Sequence, residues 1–221
     1  MCVRYERGHL ERVAKLFAAE LAEGFNAGPL TIHPKDPGIV VRVAEGRRVV
    51  EQMTWGFPLV LTSMRTWAKE RGKEAKPKPV NNARFDKLGT PFWERWVKNP
   101  RYRCLIPTTR YAEAVGKSGQ MTETWLSVKD QPVFAWAGLW RPTDEWGDCY
   151  TGVMTDNAPE LAYIHDRSPV IVEPQDWEHW LSAPMSELNR YDQAYPATRI
   201  EVEHTNEPWA KPKVEHRNQS N

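Results

Sequence analysis

Residues 133–139 have the sequence Val-Phe-Ala-Trp-Ala-Gly-Leu, with Pro132 before them and Pro142 three residues after Leu139. Valine and aromatic side chains are favoured in β-strands, and proline is typical of the turns that separate them. The segment therefore predicts a β-strand. The rest of the chain contains more runs of this kind, which together decide the fold class.

Seven runs in all are rich in Val, Ile, Trp and Phe and are separated by Pro, Gly and Asp residues. They predict strands at Gly38–Val43, Val49–Thr54, Arg103–Ile106, Thr124–Val128, Val133–Leu139, Tyr150–Met154 and Val170–Val172. Helical patterns are fewer. Leu10, Val13, Phe17 and Leu21 recur at spacings of three and four, which predicts an amphipathic helix over residues 9–23 that ends at Gly24. Shorter helical patterns lie near residues 91–98, 158–164, 175–181 and 185–191.

Strands and helices follow one another in mixed order and do not alternate, which favours an α+β fold over a doubly wound one. We expect a curved, mainly antiparallel, barrel-like sheet with peripheral helices. A chain of 221 residues fits a single domain, which we assign to residues 1–207, followed by a polar C-terminal tail at 208–221. The basic, proline-containing segment Lys69–Pro79 is expected to form a loop.

The composition excludes several classes of protein. A hydrophobic fraction of 40% with eleven tryptophans is typical of a folded domain. The three cysteines (Cys2, Cys104 and Cys149) are far apart and form no CxxC motif, which argues against a disulfide framework or a cysteine zinc site. The N-terminus is charged and has no apolar signal core, and no apolar run approaches membrane-spanning length. We therefore expect an intracellular, cytoplasmic protein with reduced thiols and no membrane partner.

The net charge of +1 hides an uneven distribution. Between Arg65 and Arg84 there are seven Lys or Arg residues and two Glu residues. Between Arg95 and Arg110 there are five basic residues and no acid, with Trp96 among them. Basic segments with interleaved aromatic rings can follow a phosphate backbone while the rings stack on bases. A solvated basic surface is the alternative, and for the first stretch alone we prefer it.

Common nucleotide, hydrolase and metal motifs such as GxGxxG, GxSxG and HExxH are missing, so we expect no metal and no small-molecule cofactor. Cys2 is more informative. Removal of Met1 would leave its α-amine free beside its thiol. That amine has a pKa near 7.7–8.0 and is partly neutral at pH 7, and the thiol is readily activated. A 1,2-aminothiol condenses with an aldehyde to an imine and then closes a thiazolidine ring. A cysteine at position 2 is, by itself, usually incidental.

Six blocks of sequence change that interpretation. The opening Met-Cys-Val-Arg-Tyr resembles the start of the SRAP (SOS-response-associated peptidase) family, whose members crosslink to abasic sites in DNA. The resemblance continues, in the order of the family, through Trp55-Gly56-Phe57-Pro58, Asn82-Ala83-Arg84, Arg103–Pro107 with Tyr111-Ala112-Glu113, Phe134–Trp140 and Ile164–Val172. Each block alone is a weak signal. Six in the right order over about residues 1–175 are a strong one.

The resemblance implies roles for four catalytic residues. Cys2 would be the covalent nucleophile, and Asn82 would orient the sugar-derived aldehyde or the cysteine. Glu113 would be the acid/base carboxylate. His165 would assist opening of the abasic sugar and reversal of the crosslink. The competing interpretations are a surface glutamate, a turn asparagine and a structural histidine, and for these three we favour function because the residues stand in matched blocks.

The resemblance also implies a DNA-binding surface. Arg4, Arg84 and Arg167 match family arginines that contact phosphates, and a guanidinium suits that contact. For these arginines a purely structural role is about as plausible. The partner would be single-stranded DNA that contains an abasic site, bound by a monomer. Trp55, Trp136 and Trp140 are expected in the core, not as stacking surfaces for bases.

The chain departs from the family pattern at several positions. Val3 replaces the glycine after the cysteine, which restricts the backbone near the nucleophile. Asp86 replaces the glutamate of the family's Asn-Ala-Arg-x-Glu pattern. Ala114 replaces the tryptophan after the glutamate, Thr108-Thr109-Arg110 replaces Ala-Asp-Gly, and only Pro34 survives clearly from the family's Asn-x-Ala-Pro block. We interpret the chain as a divergent member that retains the chemistry and alters the surface that faces DNA.

Three functions therefore compete. The first is covalent capture of abasic sites, which shields the lesion during the DNA damage response and can include an abasic-site lyase side reaction. The second is thiol peptidase or self-processing chemistry with Cys2, Glu113 and His165, since a Cys–His pair with a carboxylate is a plausible hydrolytic set. The third is non-covalent binding of single-stranded DNA, which would weaken steeply as salt rises.

Overall fold

The computed structural model describes residues 3–22, 24 and 27–210, and every structural statement below concerns these residues. The strands in chain order are β1 (Tyr5–Arg7), β2 (Glu20–Leu21), β3 (Thr31–Ile32), β4 (Pro37–Ala44), β5 (Arg47–Trp55), β6 (Phe57–Leu59), β7 (Lys78–Val80), β8 (Asn82–Arg84), β9 (Arg103–Val115), β10 (Thr122–Val128), β11 (Phe134–Arg141), β12 (Cys149–Asp156), β13 (Arg167–Pro169), β14 (Ile171–Val172) and β15 (Ile200–Pro208). The α-helices are α1 (Leu10–Phe17), α2 (Thr62–Glu70), α3 (Pro91–Val97) and α4 (Trp177–Ser182). Turns of 3-10 helix lie at Phe85–Lys87, Pro100–Tyr102, Pro159–Leu161, Pro174–Asp176, Met185–Tyr191 and Ala197–Arg199.

Thirteen of the described strands form one curved, mainly antiparallel sheet with the main order β14-β11-β12-β5-β4-β9-β1-β3. Strand β9 also pairs with β11, so β11, β12, β5, β4 and β9 form a ring-like circuit. Strands β6 and β7 form a separate two-stranded ribbon. The predicted α+β fold with a large curved sheet is confirmed.

Strand β9 organises this sheet because it changes partners along its length. Its first half pairs with β11, from Arg103 opposite Leu139 to Thr108 opposite Phe134. Its second half pairs with β1 on one side and β10 on the other, with Tyr111 opposite Tyr5. The sequence predicted only the first four residues as strand. The second half, residues 109–115, mixes polar and apolar residues without a continuous apolar run, and its pairing with β1 and β10 makes it strand.

An aromatic cluster fills one part of the core. Tyr5, Trp55 and Trp136 meet edge to face, with ring centroids 5.0 Å apart for Tyr5–Trp55, 5.9 Å for Tyr5–Trp136 and 6.1 Å for Trp55–Trp136. Such pairs contribute about 0.5–1.5 kcal/mol each beyond the area they bury. The Tyr5 hydroxyl hydrogen-bonds that of Tyr150. Trp55, Trp136 and Trp140 are all buried, so their predicted place in the core is confirmed.

The first helix is shorter than predicted. Helix α1 ends at Phe17, because Ala18 adopts a left-handed conformation (φ 47°) and donates its N–H back to the carbonyls of the last turn. The chain then enters β2, which pairs in parallel with β5. Leu21, predicted to face the core from the helix, is consequently 45% exposed. Among the described helices, none combines the length and apolar character that a membrane crossing needs.

Three further segments differ from the sequence prediction. Residues 158–164 form only a 3-10 turn, and the expected loop at Lys69–Pro79 begins as the end of α2 and finishes in β7. Strand β15 was not predicted, yet it pairs with β10 along most of its length. Pro208, assigned to the polar tail, is the last residue of β15. Residues 211–221, the greater part of that tail, lie outside the described residues.

The basic stretch Arg95–Arg110 does not form one cationic surface. Arg103 is fully buried and donates to the carbonyl oxygens of Val97, Trp180 and Ala183 at 2.7–3.0 Å. Burial lowers the pKa of this guanidinium to about 10. Arg103 therefore fastens the end of α4 to β9, which is a structural role that charge counting alone could not reveal.

The tight packing of β12 against the aromatic cluster can be tested at Gly152. A Cβ at this position would overlap the Trp136 ring, whose indole N–H is held by the Val153 carbonyl at 2.8 Å. We expect Gly152→Ala to lower the free energy of unfolding by about 1–3 kcal/mol in urea titrations, because overpacking forces side chains or backbone to shift. Gly89→Ala is the control, since a Cβ there meets nothing within 4 Å. Equal stability of the two variants would contradict this packing.

Candidate active site

Asn82 is fixed by its neighbour in the sequence. Strand β8 runs parallel to β12 with Asn82 opposite Gly152. The carbonyl of Asn81 accepts hydrogen bonds from the indole N–H of Trp55 at 3.0 Å and from the N–H of Gly152 at 3.1 Å. The aromatic core therefore anchors the backbone that presents Asn82, whose side chain is buried (6% exposed).

Glu113 lies in the second half of β9 and is 3% exposed. Burial disfavours the charged carboxylate and raises the pKa of Glu113 to about 7, and the negative charge of Asp166 acts in the same direction. A carboxyl group with a pKa in this range can both donate and accept a proton near neutral pH. The competing interpretation of Glu113 as a surface residue is wrong.

The start of the chain runs alongside Glu113. Tyr5 lies opposite Tyr111, and the carbonyl of Arg4 accepts a hydrogen bond from the N–H of Ala112 at 2.9 Å. Continuing this antiparallel register by one more residue places Val3 level with Glu113. Cys2, the predicted nucleophile, precedes Val3 and lies outside the described residues.

His165 is held in the loop between β12 and β13. The side-chain amide of Asn157 donates to the carbonyl of His165 at 2.9 Å. The His165 Nδ1 atom lies 2.9 Å from the N–H nitrogen of Arg167 and 2.8 Å from a carboxylate oxygen of Asp166. Burial lowers the pKa of His165, which favours the neutral imidazole at pH 7.

Asp166 links these residues electrostatically. Its charge raises the pKa of Glu113, after the effect of burial. It also adds to the raised pKa of Arg84, for which the hydrogen bond to Asp86 is the main cause. Arg84 is two residues from Asn82 on the same short strand. The His165–Asp166 loop is thus within electrostatic reach of both the buried glutamate and the strand that carries the asparagine.

The three predicted DNA-binding arginines all pair with carboxylates. Arg84 donates from Nε and Nη2 to the two carboxylate oxygens of Asp86 at 2.9 and 2.8 Å. Arg167 lies 2.8 Å from Asp156 and 3.8 Å from Asp86. Arg4 pairs with Glu123 and donates its Nε–H to His33 at 3.1 Å, and burial lowers its pKa. Their contact with DNA stays a prediction, since a phosphate would have to share or displace these carboxylates.

The other two cysteines are poor nucleophiles. Cys104 and Cys149 are buried and free. Burial raises the pKa of both thiols, so little thiolate forms at neutral pH. Of the three cysteines in the sequence, only Cys2 remains as a candidate for thiol chemistry. Within the described ranges, no group of three or more His, Cys, Asp or Glu residues is placed to hold a metal ion.

Thr124, which lies opposite Glu113, and the two residues linked to it, His204 and Tyr163, escaped the sequence analysis. Thr124 on β10 lies opposite Glu113, and His204 on β15 lies opposite Thr124. The Thr124 hydroxyl and His204 Nδ1 are 3.0 Å apart, and His204 Nε2 is 3.3 Å from the hydroxyl of Tyr163. No spacing along the chain connects positions 113, 124 and 204. Only the strand register could have indicated them.

The buried carboxyl gives a pH-dependent stability. In the unfolded chain Glu113 has an ordinary pKa near 4.5, and in the folded protein about 7. The folded state therefore holds its proton more tightly, and stability is lost as pH rises from about 4.5 through 7. We therefore compare the free energy of unfolding of Glu113→Gln with that of the wild type in urea. We expect the variant to become more stable relative to the wild type by about 2 kcal/mol as the pH rises from 5 to 8. The control is Glu201→Gln, which removes an exposed carboxylate. Its free energy of unfolding should differ from that of the wild type by the same amount at pH 5 and pH 8. The same result for Glu113→Gln would contradict the raised pKa of Glu113.

Comparisons with known proteins give one family match and several solved structures of the same fold. No curated protein gives a significant match. A protein from Bordetella bronchiseptica of solved structure superposes with a TM-score of 0.74 at 24% identity, covering 92% of this chain and 99% of its own. A protein from Bacteroides thetaiotaomicron (0.71, 18% identity, 92% and 91% covered) and a phage-related protein from B. bronchiseptica (0.69, 15%, 92% and 94%) share the fold. The family model "SOS response associated peptidase (SRAP)" matches residues 1–207, so the chain belongs to the SRAP family.

Proposed function

We propose that this protein captures abasic sites in single-stranded DNA covalently, through a thiazolidine formed by the amine and thiol of Cys2 after Met1 is removed. The observation that carries the proposal is Glu113, a buried carboxyl with a pKa raised to about 7 on the strand that pairs with the start of the chain. Membership of the SRAP family supports a role in the DNA damage response. The adduct would shield the lesion.

The chemistry needs no external oxidant or reductant. The abasic sugar opens from its ring form to expose an aldehyde. The α-amine of Cys2 adds to the aldehyde carbon, and loss of one water gives an imine. The thiol sulfur then adds to the same carbon, and its proton moves to the nitrogen, which closes the five-membered ring. Protein and DNA are joined with the loss of one water in total.

Glu113 would donate and accept the protons in these reaction steps. At neutral pH, a group with a pKa near 7 is present in both protonation states. The protonated form can give a proton to the departing hydroxyl when water is lost. The ionised form can accept one from the attacking amine or thiol. A general acid or base of this kind contributes about 10²–10⁴-fold to a rate.

His165 and Asn82 would act on the sugar. A neutral imidazole, favoured by the lowered pKa of His165, can take the proton of the sugar hydroxyl as the ring opens. The Asn82 side chain, on a backbone held by Trp55 through the carbonyl of Asn81, would orient the aldehyde. An imine that loses a sugar proton before the thiol adds would break the strand, so lyase activity is a side reaction of the same intermediate.

The arginines would bind phosphates on either side of the lesion. Arg84 and Arg167 both contact Asp86, so they form one connected cluster beside the His165 loop. Guanidinium groups bind phosphate in the same forked geometry as carboxylate. DNA phosphates would share these donors with Asp86 and Asp156, and the non-covalent step would weaken as salt rises.

The covalent step is tested by mixing the protein with a single-stranded oligonucleotide that contains one abasic site. We expect an adduct that resists denaturation, with the intact mass of the protein lacking Met1 plus the DNA minus one water. Cys2→Ala should form no stable adduct. Cys2→Ala and Cys2→Ser both keep the α-amine and lack the thiol, so the imine adduct of either variant should survive denaturation only after borohydride reduction.

The outcomes separate the competing functions. An equally stable adduct with Cys2→Ala would exclude the thiazolidine. Equal, salt-sensitive retention of intact and abasic strands, without any covalent product, would favour simple single-strand binding. Turnover of peptide substrates beyond loss of Met1 would favour the peptidase.

Glu113 is tested by the rate of crosslinking. We expect Glu113→Gln to crosslink about 10²–10⁴-fold more slowly, because an amide can neither donate nor accept the proton. The crosslinking rate of the wild type should change with pH around pH 7, and this change should be missing in the variant. Glu201→Gln, an exposed carboxylate on β15, should crosslink at the wild-type rate. An unchanged rate for Glu113→Gln would exclude acid/base catalysis by this residue.

A further inference from the structure

Tyr163 is a large side chain that the structure leaves at the surface. It is 63% exposed, more than any other large hydrophobic residue in the described ranges. It stands two residues before His165. Between them, Ile164 is buried and anchors the loop in the core. The Tyr163 ring is therefore presented to solvent from a loop whose next residues belong to the candidate active site.

The hydroxyl of the exposed ring forms a hydrogen bond with His204. The hydroxyl oxygen lies 3.3 Å from His204 Nε2, and the two ring centroids are 6.1 Å apart at 45°. His204 Nδ1 lies 3.0 Å from the hydroxyl of Thr124, which is fully buried. An ordered chain of polar contacts thus runs from the core to the exposed ring.

The strand register places this chain beside Glu113. Glu113, Thr124 and His204 are directly opposite one another on β9, β10 and β15. Directly opposite residues project from the same face of a sheet. Neighbouring strands are about 4.8 Å apart, so the backbone of His204 lies about 10 Å from that of Glu113. The face that carries the buried carboxyl leads, across two strands, to Tyr163.

We propose that Tyr163 is a base-stacking residue for the nucleotide next to the abasic site, and that His204 with Thr124 positions its ring. The inference rests on the proposed function and extends it to the flanking nucleotide. An abasic nucleotide leaves its neighbour without a stacking partner on one side. An exposed ring near the reacting residues can take that place, and stacking of a base on an aromatic side chain is worth about 1–3 kcal/mol.

The stacking role also explains why the Tyr163 ring is restrained by a hydrogen bond to His204. A freely rotating exposed tyrosine would lose side-chain entropy on stacking. The hydrogen bond to His204 reduces that loss because it restricts the ring before DNA arrives. His204 is a positioning residue in this scheme, since it acts on the base only through Tyr163.

The test removes the ring and the base separately. The probes are single strands with one tetrahydrofuran residue, which mimics the abasic sugar but has no aldehyde. One probe has adenine beside it, and a second has another tetrahydrofuran in place of that adenine. Fluorescence anisotropy should give the wild type a dissociation constant about 5- to 150-fold lower for the adenine probe, the factor that corresponds to about 1–3 kcal/mol.

Tyr163→Ala should bind both probes equally, and Tyr163→Phe, which keeps the ring, should retain most of the preference for adenine. His204→Ala should reduce the preference, and His204→Gln should restore part of it. Leu16→Ala, an exposed apolar residue on α1, is the control and should leave the preference unchanged. If Tyr163→Ala keeps the full preference for adenine, the proposal is wrong.

This readout does not depend on the covalent chemistry. A loss of adenine preference in Tyr163→Ala would support the stacking role even if Cys2 formed no thiazolidine. Normal crosslinking by a wild type that shows no adenine preference would overturn the stacking role and leave the proposed function intact.

Discussion

Strand β9 pairs with β11 and β4 in its first half and with β1 and β10 in its second, and the candidate site depends on that change of partners. In its first half it pairs with β11 and closes the ring-like circuit of the sheet. In its second half, β1 lies on one side and β10 on the other. The start of the chain and the register that leads to Thr124 and His204 are thereby both brought to Glu113. A single strand thus sets the neighbours of the buried carboxyl.

The burial of Glu113 opposes its ionisation, and the fold has to maintain that burial. The aromatic cluster of Tyr5, Trp55 and Trp136 fixes β1 through Tyr5, and β1 pairs with β9. Trp55 at the same time holds the carbonyl of Asn81. Stability of the core and placement of the candidate site residues therefore have a common physical origin. The elevated pKa of Glu113 is a cost in folding free energy at neutral pH.

Charge is arranged differently from what the composition indicated. The arginines that match the family are all engaged with carboxylates, and Arg103 serves the core through three backbone carbonyls. A count of basic residues could not distinguish these roles, because a guanidinium binds a phosphate, a carboxylate and a backbone carbonyl through the same donors. The exposed ring of Tyr163 was likewise no different, in the sequence, from a tyrosine of the core.

The sequence by itself determined the family, the α+β class, the strands with continuous apolar runs and the placement of three tryptophans in the core. It failed where local pattern and tertiary pairing disagree: helix α1 stops at Ala18, the second half of β9 has no continuous apolar run yet pairs with β1 and β10, and β15 is polar yet paired to β10. Motifs located Asn82, Glu113 and His165, but not the burial that tunes Glu113 or the link from Thr124 through His204 to Tyr163. Those depend on strand register, which brings residues far apart in the sequence within hydrogen-bonding distance, and the folded sheet alone decides it.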